Sequence, residues 1–218
     1  MGDDAAGRLG GARGTWDKPD ETREKFDEMQ QWRKKKGLRR TARYQTVFEP
    51  MEREVLGNLA ATLGEALMER VRTAPKDDLA ELTGLSSGHK EPPADPGLAR
   101  LLPNFAREGD EEFEGDNALL RSFHENDITR AKLENLQAVT QALGPDGGVN
   151  VTIEEDEARA WVAALNDIRL YVAAGNGIGA NPTGAPVEVG EAAAEEAREL
   201  IEWLAGNQES LLKAMTGE

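Results

Sequence analysis

The chain has 218 residues, with 26 Lys and Arg against 41 Asp and Glu, a net charge of −15, two histidines and no cysteine. Without cysteine there is no disulfide, thiolate nucleophile, iron–sulfur cluster or Cys-containing zinc site, and the acidic total argues against a surface coated uniformly for nucleic acid or anionic membrane. No apolar run approaches the roughly 20 residues that span a bilayer, and the opening MGDDAAG lacks the basic start and apolar stretch of a secretory signal, so a soluble, cytoplasmic protein with no membrane partner is expected.

Residues 1–19 are rich in Gly, Ala and Asp, with Trp16 the only large apolar group, and read as a disordered tail. A charged stretch, 20–31, with Phe26, Met29 and Trp32 at three-residue spacing, is compatible with a short helix. The charge then reverses. Arg33, Lys34, Lys35, Lys36, Arg39, Arg40 and Arg43 fall within eleven residues that contain no acid; setting these seven aside leaves 19 cations against 41 anions, a remainder of −22. Tyr44, Thr46 and Phe48 alternate with their neighbours and predict a strand over 43–49.

Pro50 suits the first turn of a helix, and Val55, Leu56, Leu59, Leu63, Leu67 and Val71 hold one face of it to about Arg72. Residues 74–97 are a Pro-rich connection with one short helical turn expected around 78–82, and 98–102 form another turn stopped by Pro103. A long helix is predicted over 112–143, with Leu120, Phe123, Ile128, Ala131, Leu136, Val139 and Leu143 as its stripe, ended by the GPDGG run at 144–148. Val149, Val151 and Ile153 alternate as a second strand over 149–153. The helix after it places Ala158, Trp161, Val162, Leu165, Ile168 and Val172 on one face. Residues 175–190, with five Gly and two Pro, read as a flexible linker. A last amphipathic helix, about 191–215, with Ala197, Leu200, Ile201, Leu204, Leu211 and Met215 in register, suits either the core or a second copy of the chain.

VFEPME at 47–52 and TIEEDE at 152–157 correspond at an offset of 105, each a strand end followed by an acidic first helical turn, the sign the helix dipole favours. Two such strands are able to pair into a small sheet. The expected fold is therefore mainly α, a helical bundle with a two-stranded sheet joining residues 43–49 and 149–153. The organisation is an N-terminal tail (1–31), a helical core domain (32–180), and a linker with C-terminal helix (181–218).

Among candidate sites, the basic run is the first. Clustered cations beside a strand bind phosphates, with affinity from counterion release, and Trp32 and Tyr44 flank it as potential base-stacking rings. The alternative is an acidic protein partner or the protein's own acidic surface. His124-Glu125-Asn126-Asp127 lacks a nucleophile or metal partner and reads as helix surface or packing; His89 stands in the Pro-rich connection without a partner pattern. Asn166, Asp167 and Arg169 read as polar groups that fix helix packing. The glycines at 175–179 follow a helix rather than a strand, so their likeness to a phosphate loop fails on context. No catalytic, metal or cofactor site is assigned.

DPGLARLLP (95–103), LRSFHENDITRAK (120–132) and WVAALNDIRL (161–170), with the basic run, the strand and the Glu-Pro-x-Glu opening before them, resemble an actinobacterial family of AosR-like oxidative-stress transcriptional regulators, also described as domain of unknown function two thousand and seventeen. The likeness spans roughly residues 32–180. The resemblance implies a non-enzymatic transcription regulator that contacts a sigma factor or RNA polymerase and, through the basic segment, DNA. The alternative is a protein-interaction adaptor, for example in Clp-type regulated proteolysis, that binds no DNA. A homodimer through the C-terminal helix is a further expected partner. With no cysteine, thiol-based sensing cannot operate in this chain, and the regions before 32 and after 180 lie outside the resemblance.

Overall fold

The computed structural model describes residues 30–36, 42–75, 88–106, 113–144 and 148–217. The tail, the helical turn expected at 78–82 and all but Gln30 and Gln31 of the stretch 20–31 compatible with a helix lie outside them; those two residues are not helical. Three strands, β1 (Arg33–Lys36), β2 (Ala42–Val47) and β3 (Asn150–Glu154), and five helices, α1 (Pro50–Arg72), α2 (Pro96–Leu101), α3 (Phe113–Leu143), α4 (Glu155–Gly175) and α5 (Glu191–Thr216), make up the described elements. The mainly helical reading holds, but the sheet has three strands in the order β1-β2-β3, both pairs antiparallel. The added strand is the basic run itself. Four consecutive cations show no apolar alternation, so periodicity passes over a strand that backbone pairing with β2 holds in place.

The two similar segments at offset 105 are two strand–helix junctions of one design. In each, the N-cap Glu accepts from the N3 backbone N–H while the N3 Glu carboxylate accepts the N-cap N–H: Glu49 with Glu52, and Glu154 with Glu157, the latter contact 2.7 Å in both. This is a capping box with Glu in place of Ser or Thr. Their strands, β2 and β3, lie side by side, Tyr44 opposite Ile153 and Thr46 opposite Val151.

α4 is the central helix, packed against α1, α2, α3, α5 and the sheet. Ala158, Trp161, Leu165 and Ile168 on it are fully buried, as the stripe predicted. Aromatics are only 5% of the chain, yet four meet at one point. Trp32, just before β1, lies 5.3 Å from Trp161 edge to face, Phe48 stacks on Trp161 at 6.0 Å, and Trp203 of α5 stands edge-on to Phe48 at 6.1 Å. α5 thus lays its apolar face on the core in cis. Trp203, Leu204 and Leu211 are buried, and Gln208 Nε2 donates to the Val162 carbonyl at 3.1 Å. The connection before α5 turns back at Gly177, whose φ of 67° favours glycine, and Ile178 packs against the core.

α2 begins on Asp95, whose Oδ1 accepts the Leu98 N–H at 2.7 Å, with Pro96 in its first turn. A Cβ on Gly97 would come within 2.5 Å of the Tyr171 ring of α4. Burial, then the nearby Asp95 carboxylate, raise the Tyr171 hydroxyl above its ordinary pKa, a sign of how tightly the two helices meet. Gly97→Ala should therefore lower stability by about 1–3 kcal/mol through overpacking, measured by urea denaturation; an unchanged midpoint would mean that α2 moves aside without cost.

Candidate interaction surface

Backbone pairing fixes what β1 presents. Phe48 donates its N–H to the Val149 carbonyl at 2.8 Å, continuing the β2–β3 ladder by one step. In an antiparallel pair, bonded and non-bonded positions alternate, so Tyr44 and Thr46 bond to β3 and Arg43 and Gln45 face β1. Their register partners, Lys35 and Arg33, bond inward to β2. The N–H and C=O groups of Trp32 and Lys34 consequently point away from the sheet. Trp32 N–H is taken by Ser210 Oγ of α5 at 2.8 Å. Beyond that bond the edge of β1 at Lys34 is open among the described residues.

Side chains alternate in the same way. Arg33 and Lys35 stand on the outer face of the sheet with Arg43, which pairs with Glu154 directly across the β2–β3 register at 3.2 Å. That pair is more than half exposed and contributes little to stability. Arg33, Lys34 and Lys35 are exposed, and Lys34 Nζ lies 5.8 Å from the centroid of the Tyr44 ring, within cation–π range. Lys36 closes the strand; Arg39 and Arg40 lie outside the described residues. The two rings read as base-stacking partners are not available for it. Trp32 is 4% exposed and Tyr44 2%, both in the hydrophobic core, because period-2 alternation turns them inward while their charged neighbours turn out.

A second polar assembly involves residues that no sequence motif marks. Arg121 of α3, 1% exposed, donates to Glu125 Oε2 (2.6 Å), to the Leu102 carbonyl (3.0 Å) and to Asn104 Oδ1 (2.9 Å). Glu125 also accepts from Arg70 Nε of α1 at 2.8 Å, and Arg70 reaches the Glu91 carbonyl at 2.6 Å. One buried carboxylate thus serves two guanidiniums and ties α1, α3 and both loops together. One turn earlier, Asn117 Oδ1 accepts the N–H groups of Phe105 and Ala106 at 2.7 and 2.9 Å. Among the described residues, the buried positions in the first half of α3 are therefore Asn117, Arg121, Ser122, Glu125 and Thr129, while Phe123 of the predicted apolar stripe is 46% exposed and Ala131 is exposed. The available signal was Arg121 and Glu125 at i, i+4.

The remaining candidates fall into structural roles. His124 is exposed beside Phe105, their rings 6.1 Å apart. Nε2 of His89 donates to the Arg70 carbonyl at 2.7 Å. Asp127 pairs with Arg130 at the surface. Lys132 Nζ of α3 meets Asp167 Oδ1 of α4 at 2.8 Å, so Asp167 ties two helices together as its sequence pattern implied, whereas Arg169 donates to Asn166 within α4 itself. No three His, Asp or Glu residues gather as a metal site, and no helix is long and apolar enough to cross a membrane, among the described residues.

The family described as domain of unknown function (DUF2017) matches residues 29–215. The match runs through α5, beyond the 32–180 span of the residue-level resemblance. Among curated proteins, the oxidative stress regulators AosR of Mycobacterium tuberculosis H37Rv and Mycobacterium bovis are each 39% identical over 59% of this chain and 62% of their own length. The putative oxidative stress regulator AosR of Mycobacterium leprae is 36% identical over 59% of this chain and 63% of its own. The chain thus spans less than two thirds of the length of these relatives. No solved structure matches it significantly.

Proposed function

This chain belongs to the DUF2017 family, and from that premise we propose that it is a non-enzymatic regulator of transcription in the stress response, acting through contact with a sigma factor or RNA polymerase. Its basic strand supplies phosphate contacts to DNA that position the protein rather than read sequence. The relatives' names, oxidative stress regulators, support the regulatory part. The observation that carries the contact is the exposed Arg33, Lys34 and Lys35 on a strand whose preceding Trp32 is locked in the core. These cations stand on a rigid support, which lowers the entropy lost on binding.

Two measurements test this. Affinity purification from native lysate should recover sigma factor or polymerase subunits; recovery of protease subunits alone would replace this reading by that of a proteolysis adaptor. In an anisotropy titration with duplex DNA, log K should fall linearly with log salt. Changing Arg33, Lys34, Lys35 and Arg43 to Gln should shallow that slope by about 0.9 for each phosphate that is no longer neutralised. Binding that is indifferent to salt, or to these substitutions, removes DNA from the function.

A further inference from the structure

We infer that the open edge of β1 is a docking site for an extended, acidic peptide segment, which adds to the sheet as a fourth strand beside Lys34. This goes beyond the reading above and stands apart from it: it gives the basic strand a protein ligand held through its backbone edge, in addition to the phosphate contacts of its side chains.

Three observations lead there. The first is the direction of the backbone. The ladder from Val149 through β2 leaves Lys34 with both its N–H and its C=O facing outward, and Ser210 closes only the adjoining N–H of Trp32. A strand whose groups are unpaired among the described residues is a template for another strand. The second is charge. Arg33 and Lys35 project to one face of the edge and Lys34 to the other, so an incoming strand meets cations above and below its plane. The nearest acid on α5 in sequence to Ser210, Glu209, is drawn into a pair with Lys213 at 2.8 Å and is held below the ordinary carboxylate pKa by it; it is satisfied on its own helix. The third is exclusion of the obvious competitor. A second copy pairing edge to edge would set Arg-Lys-Lys-Lys against itself, and like charges directly opposite are destabilising. The edge refuses itself and favours Glu- or Asp-bearing strands, an arrangement that combines attraction with rejection.

About five residues of an antiparallel partner suffice: the one opposite Lys34 exchanges two backbone bonds with it, and the residues two positions to either side reach the Trp32 carbonyl and the Lys36 N–H. Alternating acids on the partner then lie over Arg33 and Lys35.

The test uses the full chain and a fluorescent six-residue peptide alternating Val and Glu. A second peptide is identical except for N-methylation of the amide that meets Lys34. We expect salt-sensitive binding of the first, at least tenfold weaker binding of the second, and slowed hydrogen exchange at the Lys34 amide on binding. In the protein, Lys34→Pro removes the outward N–H without breaking the ladder to β2, because edge strands tolerate Pro there; it should lose at least tenfold. Lys34→Thr, which removes the charge and its contact with the Tyr44 ring but keeps the outward N–H, should lose two- to threefold. Equal binding of both peptides, or unchanged exchange at Lys34, would reduce the surface to a charge patch and overturn the proposal. No peptide binding alongside intact, salt-dependent DNA binding overturns it while leaving the proposed function standing. Strand-like peptide binding without recovery of sigma factor or polymerase supports it and removes that function.

Discussion

Replacing Glu125 by Ala should lower the stability of the protein by about 3–5 kcal/mol, the range found when one member of a buried ion pair is removed and its partner is left uncompensated. The site meets that condition. The side chains of Glu125 and Arg121 are 3% and 1% exposed and that of Arg70 is 12%, so water cannot replace the lost carboxylate. Two guanidiniums, not one, lose their counter-charge, and they then repel across the gap between α1 and α3. The urea midpoint should drop with little change in slope. A simultaneous change of Arg70 and Arg121 to Met and Glu125 to Leu should recover most of the loss, because a buried ionic cluster is replaceable by apolar groups of similar volume. A Glu125→Ala loss below about 1 kcal/mol would mean that the network is solvated and does not bind the helices.

The second large effect belongs to Glu52. Its carboxylate, on a residue 3% exposed, accepts the Glu49 N–H at 2.7 Å and the indole N–H of Trp203 at 2.9 Å. Glu52→Ala removes the acceptor of the buried Trp203 indole N–H and of the part-buried Glu49 N–H and should cost about 2–3 kcal/mol, most of it from the buried indole at about 1–3 kcal/mol. Glu157 is the internal control. It occupies the same position in the second capping box, but is exposed and has no indole partner, so Glu157→Ala should cost about 1 kcal/mol. Equal costs at the two positions would show that the Trp203 bond adds nothing. Indole fluorescence offers a direct readout, since the loss should expose Trp203 before global unfolding.

Much of this architecture is legible in the residue pattern. α1, α4 and α5 carry continuous apolar stripes, and burial of Leu56, Leu63, Leu67, Trp161, Leu165 and Leu204 follows them. The offset-105 similarity exposes both strand–helix junctions. What is not legible has physical reasons. β1 is held by backbone bonds to β2 rather than by side-chain burial, so its sequence, RKKK, carries no periodic signal. α3 buries charge in its first half, and a search for apolar residues follows Phe123 and Ala131 to the exposed side; Ile128, partly buried against the core, and Leu136, Val139 and Leu143 keep the pattern. Trp32 and Tyr44 mislead because neighbouring cations suggest exposure, whereas strand alternation separates adjacent residues onto opposite faces. The basic run as a surface feature is evident from composition; that it is one open strand edge follows only from the register.

The bond from Trp32 N–H to Ser210 Oγ joins residues 178 apart, and that from Trp203 to Glu52 joins residues 151 apart. A chain emerging from the ribosome meets these partners in order, so the aromatic centre cannot close until α5 has been made. β2 must likewise wait for β3, about a hundred residues later. Closure of this centre is therefore non-local, which is slow and leaves Trp32 and Phe48 without their final cover until α5 arrives. The last helix acts as the lock of the fold: a message truncated before it yields a nascent chain with its aromatic cluster open, a natural target for chaperones and proteases.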